Sequence, residues 1–163
     1  MTAPAVTVGG LLDTRPEARG LPLEVLSGAG GLDRPITSQH IQKTGLALAG
    51  FDEYLQPGRI LVFGESEVRF LDALEAEVRL QALAAVFTHD VPCILITGGW
   101  EPPSDLRIGA ERAQVPLLRT AIATPLAIAR SPRCRGPRPG GRPGSARADV
   151  FLHTGQIRNR YYD

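Results

Sequence analysis

Thr97-Gly98-Gly99 closes one short apolar run, and Arg119-Thr120 closes the next. The chemistry open to such a set is anion binding. Backbone N–H groups at a glycine pair act as donors, and an arginine supplies the counter-charge. The first run, Cys93-Ile94-Leu95-Ile96, has the β-branched and leucine content of a buried parallel strand. Ligands gather beyond the carboxyl ends of such strands. Thr97, Gly98, Gly99, Arg119 and Thr120 are therefore the candidate ligand or anion site. The competing expectation is structural, with the glycines serving a turn and Arg119 an ion pair.

Other reactive residue types lack the company they need. His40, His89 and His153 stand far apart, without Cys, Asp or Glu at metal-ligand spacing, so no metal site is expected. Ser38 and Ser66 lack the Gly-x-Ser-x-Gly setting of an activated nucleophile. Glu65, Glu67, Asp72, Glu75 and Glu77 read as the solvated face of an amphipathic helix, since a catalytic pair needs a cleft that separates its pKa values. The glycines of Ser27-Gly28-Ala29-Gly30-Gly31 precede Asp33, Arg34 and Pro35 rather than a helix, which makes them a turn and not a phosphate loop. Cys93 and Cys134 do not form a disulfide framework.

The elements that position these groups follow from pattern. Thr7 is placed to cap a short helix through Leu12, and Leu21 to Leu26 reads as a first strand. Another extended piece lies at Ile36-Thr37, and Arg59 to Phe63, after the Pro57-Gly58 turn, is the clearest strand. Ser66 reads as the N-cap of a helical region in which Val68, Leu71, Leu74, Val78 and Leu83 form one apolar face through Phe87, with Glu67 adding favourable first-turn charge. His89-Asp90-Val91-Pro92 ends that region. Pro102-Pro103-Ser104-Asp105 opens a further helix with Leu106, Ala110 and Ala113 on its buried stripe, and Val115 to Leu118 returns as a strand. This alternation predicts an α/β fold with a mostly parallel sheet and flanking helices.

Composition divides the chain. Its 163 residues suit one ordinary domain, and the net charge of +1 hides two unlike parts. Through Ile128 there are 15 acidic and 10 basic residues; from Ala129 there are 2 acidic residues and 8 arginines. Residues 1–128 are expected to form the domain and 129–163 a disordered tail, because Ala129 to Ala148 is dense in Arg, Pro and Gly and has no large aliphatic residue. That tail is read either as a natural basic extension or as text from a shifted reading frame. It is suited to nonspecific phosphate contact, but with no interleaved aromatics or recognition module, specific nucleic-acid function is not expected. No apolar stretch approaches a membrane span, and a cytoplasmic location is expected.

Several segments, in order, resemble the N-terminal domain of the bifunctional HPr kinase/phosphorylase family. Thr7-Val8-Gly9-Gly10-Leu11-Leu12 resembles the family's opening, and Gly31-Leu32-Asp33-Arg34-Pro35-Ile36-Thr37 its second block. Gly45-Leu46-Ala47-Leu48-Ala49-Gly50-Phe51 is similar to its Leu-x-Leu-Ala-Gly segment, and Arg59-Ile60-Leu61-Val62-Phe63-Gly64 to its following strand. The stretch from Pro92 to Thr124, with Glu-Pro-Pro and Val-Pro-Leu-Leu-Arg-Thr, completes the likeness over about residues 5–128. Lys43-Thr44-Gly45 departs from the family's Arg-Pro-Gly, keeping the charge and losing the rigid turn.

The resemblance implies a fold shared with the N-terminal domains of some peptidoglycan-precursor (Mur) ligases. It implies a parent enzyme that phosphorylates a serine of HPr with ATP and removes the phosphate by phosphorolysis, in carbon catabolite regulation. That chemistry needs a P-loop, G-x-x-x-x-G-K-[ST], and ATP with Mg²⁺. The one lysine, Lys43, has no such loop before it. This chain is thus expected to be the regulatory or assembly half, with no catalytic residues, cofactor or metal of its own. Its implied partners are the kinase domain, HPr indirectly, and a second copy through self-association. The alternative is a stand-alone small-molecule sensor or protein-interaction module, using the strand ends near Gly98 and Arg119.

Overall fold

The computed structural model describes residues 6–12, 21–38 and 40–130. Of the tail expected over 129–163, Ala129 and Arg130 belong to the last helix, and the remainder, with Cys134 and His153, lies outside the described residues. In chain order the elements are β1 (Val6–Thr7), α1 (Val8–Leu11), β2 (Glu24–Ser27), β3 (Pro35–Ile36), β4 (Ile41–Lys43), α2 (Gly45–Leu48), β5 (Ile60–Phe63), α3 (Glu65–Ala73), α4 (Ala76–Phe87), β6 (Ile94–Ile96), α5 (Ser104–Ala113), β7 (Leu117–Arg119) and α6 (Thr124–Arg130). Short 3₁₀ turns cover Ala29–Gly31 and Asp52–Tyr54.

Five strands form one sheet in the order β2-β7-β6-β5-β4. The pairs β4–β5, β5–β6 and β6–β7 are parallel, while β2 runs antiparallel along β7. The expected α/β architecture is therefore present, with one antiparallel edge. A separate pair joins β1 to β3.

Period-two alternation sorts the strand residues between two cores. Leu61, Phe63, Ile94, Ile96 and Leu117 face one way, against Ala47 and Leu48 of α2, Val68 and Leu71 of α3, Leu83 and Val86 of α4, and Leu106 and Ala110 of α5. Ile60, Val62, Cys93, Leu95 and Leu118 face the other way, against Val8, Leu21, Ile36 and Ala127. Each large side chain so buried contributes about 1.5–3 kcal/mol. Strand order from β4 to β7 never reverses, and right-handed crossovers then deliver every intervening helix to the same face.

The helical region after β5 differs from expectation in three ways. It is two helices, broken where Leu74 and Glu75 take extended backbone. Arg79 occupies the break: its Nη1 donates to the carbonyls of Leu71 (3.2 Å) and Leu74 (3.4 Å), and its Nε meets Asp105 at 2.6 Å. The N-cap is Gly64, not Ser66, which lies inside the first turn. Val78, expected on the buried face, is 49% exposed because α4 starts a new register after the break. Elsewhere Thr7 caps α1 by accepting from the Gly10 N–H at 3.2 Å, and the glycine cluster forms a turn.

Candidate functional site

Register aligns Phe63 with Ile96 and Ile96 with Arg119, while Lys43 pairs with Val62. The residues that follow these strand ends, Thr44, Gly64, Thr97 and Thr120, therefore share the carboxyl edge of the parallel sheet. The buried polar residues among those described are Thr44, Glu67, Thr97 and Thr120. Three end a parallel strand, and Glu67 reaches the same edge from α3.

The residues singled out from sequence do come together at this edge, and their donors are engaged within the domain. Gly98 and Gly99 adopt left-handed φ of 73° and 70°, and their N–H groups donate to Ile122 O (2.8 Å) and Thr120 O (2.9 Å). Arg119 binds Glu24 through Nε (3.1 Å) and Nη2 (2.7 Å), and also binds Glu101, which Arg107 holds from its other oxygen. Glu24 first, then Glu101, raise the pKa of Arg119. Desolvation pushes Glu101 up, but Arg107 and Arg119 outweigh it and hold that carboxyl below its ordinary value. This is a turn and an ion-pair cluster, with Thr97 and Thr120 beneath them.

A cleft opens beside it, where β4 and β5 end. Its volume is about 520 Å³, and its lining includes Lys43, Gly64, Ser66, Glu67, Arg69 and Thr124. Glu67, expected on a solvated face, is only 9% exposed. Its Oε2 accepts from the Gly64 N–H (2.8 Å) and the Ser66 hydroxyl (2.9 Å). This is the carboxylate half of a capping box, because glycine has no side chain to return the bond. Arg69 pairs with Glu65 at 2.8 Å and lies 5.1 Å from the centroid of the Trp100 ring.

The floor is set by close approach. A Cβ at Gly64 would stand 3.0 Å from Thr124 Oγ1 and 3.3 Å from Glu67 Oε2. Thr124 begins α6, and its hydroxyl meets that of Thr97 at 2.5 Å, tying the start of α6 to the end of β6. Sequence reading missed this cleft. The available signal was Gly64 followed by Glu67, a cap glycine and its N3 carboxylate directly after a strand.

Burial pushes the Cys93 thiol up to about 12, which leaves it protonated and inert at neutral pH. His89 joins Asp52 at 3.0 Å, and among the described residues no group of three or more His, Cys, Asp or Glu could hold a metal. No helix among those residues is long and apolar enough to cross a membrane.

The fold and cleft define an α/β domain with a cleft at the carboxyl edge of its parallel strands. The chain belongs to the family described as HPr Serine kinase N terminus, whose profile matches residues 6–131. It is 39% identical over 101 residues to an HPr kinase/phosphorylase of Geobacter sulfurreducens, covering 62% of this chain and 32% of that protein. An HPr kinase/phosphorylase of Bacillus mycoides is 34% identical over 102 residues, covering 63% of this chain and 33% of the relative. The matched region thus spans about a third of these relatives. Among solved structures, the regulatory region of Clostridium perfringens pyrophosphatase, with its CBS and DRTGG domains and complexed with the activator diadenosine tetraphosphate, has a TM-score of 0.51. At 17% identity, covering 78% of this chain and 48% of that one, the likeness is one of fold.

Proposed function

We propose that this chain is the regulatory or assembly domain of an HPr serine kinase/phosphorylase system of carbon catabolite control, and that it does not itself transfer phosphate. The observation that carries this reading is the placement of the match. The family profile is that of the N terminus, while the 163 residues contain no G-x-x-x-x-G-K-[ST] with which to hold ATP and Mg²⁺. ATP and Mg²⁺ belong to the catalytic domain of such a system, which is also this domain's partner, with HPr engaged only through it. Self-association and a cytoplasmic location are parts of the same reading.

The experiment is phosphoryl transfer from Mg-ATP to HPr, with this chain alone and with it added to an isolated catalytic domain of a relative. No transfer by the chain alone, and altered rate or assembly of the catalytic domain when it is added, is the expected pair of results. Transfer by the chain alone, or no effect of any kind on the catalytic domain, overturns the reading.

A second reading, a small-molecule sensor, is favoured by a separate observation. One fold neighbour is a regulatory region complexed with a small-molecule activator, and this domain carries a cleft at the edge where α/β sheets bind ligands.

A further inference from the structure

We propose that the segment Ile157–Tyr162 of this chain docks on the exposed apolar face of Leu46, Phe51 and Tyr54, covering it in cis.

Exposed apolar side chains scattered singly call for no explanation. Here three fall within nine residues, Leu46 at 67% exposure, Phe51 at 53% and Tyr54 at 60%. The backbone beneath them is fixed. The Phe51 N–H donates to the Leu46 carbonyl at 3.0 Å, and the Leu55 N–H to the Asp52 carbonyl at 2.9 Å. Gln42, in the middle of β4, clamps the segment to the sheet. Its Nε2 donates to the Tyr54 carbonyl (2.7 Å), and its Oε1 accepts from the Gln56 N–H (3.1 Å). His89 holds Asp52 at 3.0 Å. An apolar surface already fixed in place loses little conformational entropy on binding. This one stands at the end of the sheet, where β4 pairs with β5 alone among the described residues.

Charge and reach select the occupant. Glu53, between Phe51 and Tyr54 in sequence, is exposed and makes no ion pair among the described residues. The occupant therefore carries positive charge beside its apolar side chains. Ile157-Arg158-Asn159-Arg160-Tyr161-Tyr162 has both. Val150-Phe151-Leu152 is as apolar, but it follows Asp149 and brings no arginine. A second copy of the domain would set its own acidic balance, 15 acidic to 10 basic residues through Ile128, against Glu53.

The 26 residues 131–156 join Arg130 to the segment. At about 3.3 Å each they extend to roughly 85 Å, more than twice the breadth of a domain this size. Tethering makes the contact intramolecular, at an effective concentration of about 1 mM, so a weak contact suffices. Docked there, the segment keeps this face from a second copy or another partner. The inference depends on neither the kinase-system reading nor the sensor reading.

The test places a nitroxide on the full chain carrying Cys134→Ser and Asp163→Cys; Cys93 is buried and stays unlabelled. The amide resonances of Leu46, Phe51 and Tyr54 are expected to lose most of their intensity. Those of Glu24 to Ser27, in β2 at the opposite end of the sheet, keep theirs. Ile157→Ser with Tyr161→Ser, and separately Arg158→Glu with Arg160→Glu, restore the lost intensity, and neither pair alters a residue of the domain. Phe51→Ser, at an exposed side chain, does the same. No loss at the three residues overturns the proposal, as does equal loss across the domain or loss that survives both pairs of substitutions. Isotope-labelled chain without nitroxide is then mixed with nitroxide-bearing chain without isotope. Silence at the three residues in that mixture is expected, whereas a loss as great as in the single chain means docking between copies and overturns the cis contact.

Discussion

Arg34 and Gln114, 80 residues apart in sequence, are joined by a 2.8 Å hydrogen bond from the Arg34 Nε to the Gln114 carbonyl. The same guanidinium reaches the carbonyls of Ala113 (3.1 Å) and Val91 (3.4 Å). Gln114 ends α5 in a left-handed conformation, φ 51°, so Arg34 satisfies carbonyls that the helix leaves open. The planar fork reaches these acceptors from three separate nitrogens, Nε, Nη1 and Nη2, a spread that the single ammonium nitrogen of lysine does not have. Arg34→Ala is expected to cost about 1–2 kcal/mol, lowering Tm by roughly 5 °C, and Arg34→Lys to recover less than about half of that. Equal stability of the lysine variant and the parent in thermal unfolding contradicts the multi-acceptor role.

Two glycines with positive φ separate backbone strain from steric conflict. Gly28 has φ 70°, and a Cβ there would stand 2.1 Å from the Val115 carbonyl oxygen. Gly50 has φ 102° with nothing within 4 Å. Gly50→Ala is expected to cost about 1–2 kcal/mol from strain alone, and Gly28→Ala more than about 3 kcal/mol, because backbone must also move. Urea midpoints of the two variants decide it; similar losses would mean that conformation, not contact, governs Gly28.

Ser27 carries a buried hydroxyl with no hydrogen-bond partner among the described residues, at a bulge where β2 slips register against β7. Removing an unsatisfied polar group is expected to stabilise, so Ser27→Ala should gain about 0.5–1.5 kcal/mol. A fall in the urea midpoint would show that the hydroxyl is satisfied in solution.

The Asp52–His89 contact predicts an acid dependence with a defined sign. The hydrogen bond from His89 holds the Asp52 carboxyl below its ordinary value of 3.8. A depressed folded-state pKa means the unfolded chain binds the proton more tightly. The contribution is present above the unfolded value and is lost as pH falls from there through the folded one. Tm should therefore drop in that acidic range, and Asp52→Asn should flatten that part of the curve. An unchanged slope in the variant would remove Asp52 from the account.

Much of the fold was legible because local chemistry and tertiary demand agreed. Ile94 to Ile96 and Ile60 to Phe63 are buried on both faces and read as apolar runs. Leu106 and Ala110 recur at helical spacing and are fully buried. Where two local signals competed, the outcome depended on remote residues. Ser66 is a good cap by type, yet Gly64 holds the position, where a side chain would press on Thr124. A continuous apolar pattern across Leu74 became two helices because Asp105 and the open carbonyls of α3 recruit Arg79.

The amino-acid sequence by itself determined the element types, the α/β class and the likeness to one family, since periodicity and turn residues act over a few neighbours. It also brought Thr97, Gly98, Gly99, Arg119 and Thr120 to one strand edge. Only the tertiary structure decided which donors there stay open. Arg119 is occupied by Glu24, 95 residues away, while Glu67 turns back onto Gly64 and Ser66 in the cleft that Lys43 also lines. Charge pairing and burial depend on distances in space, and one chain fold alone brings such residues together or keeps them apart.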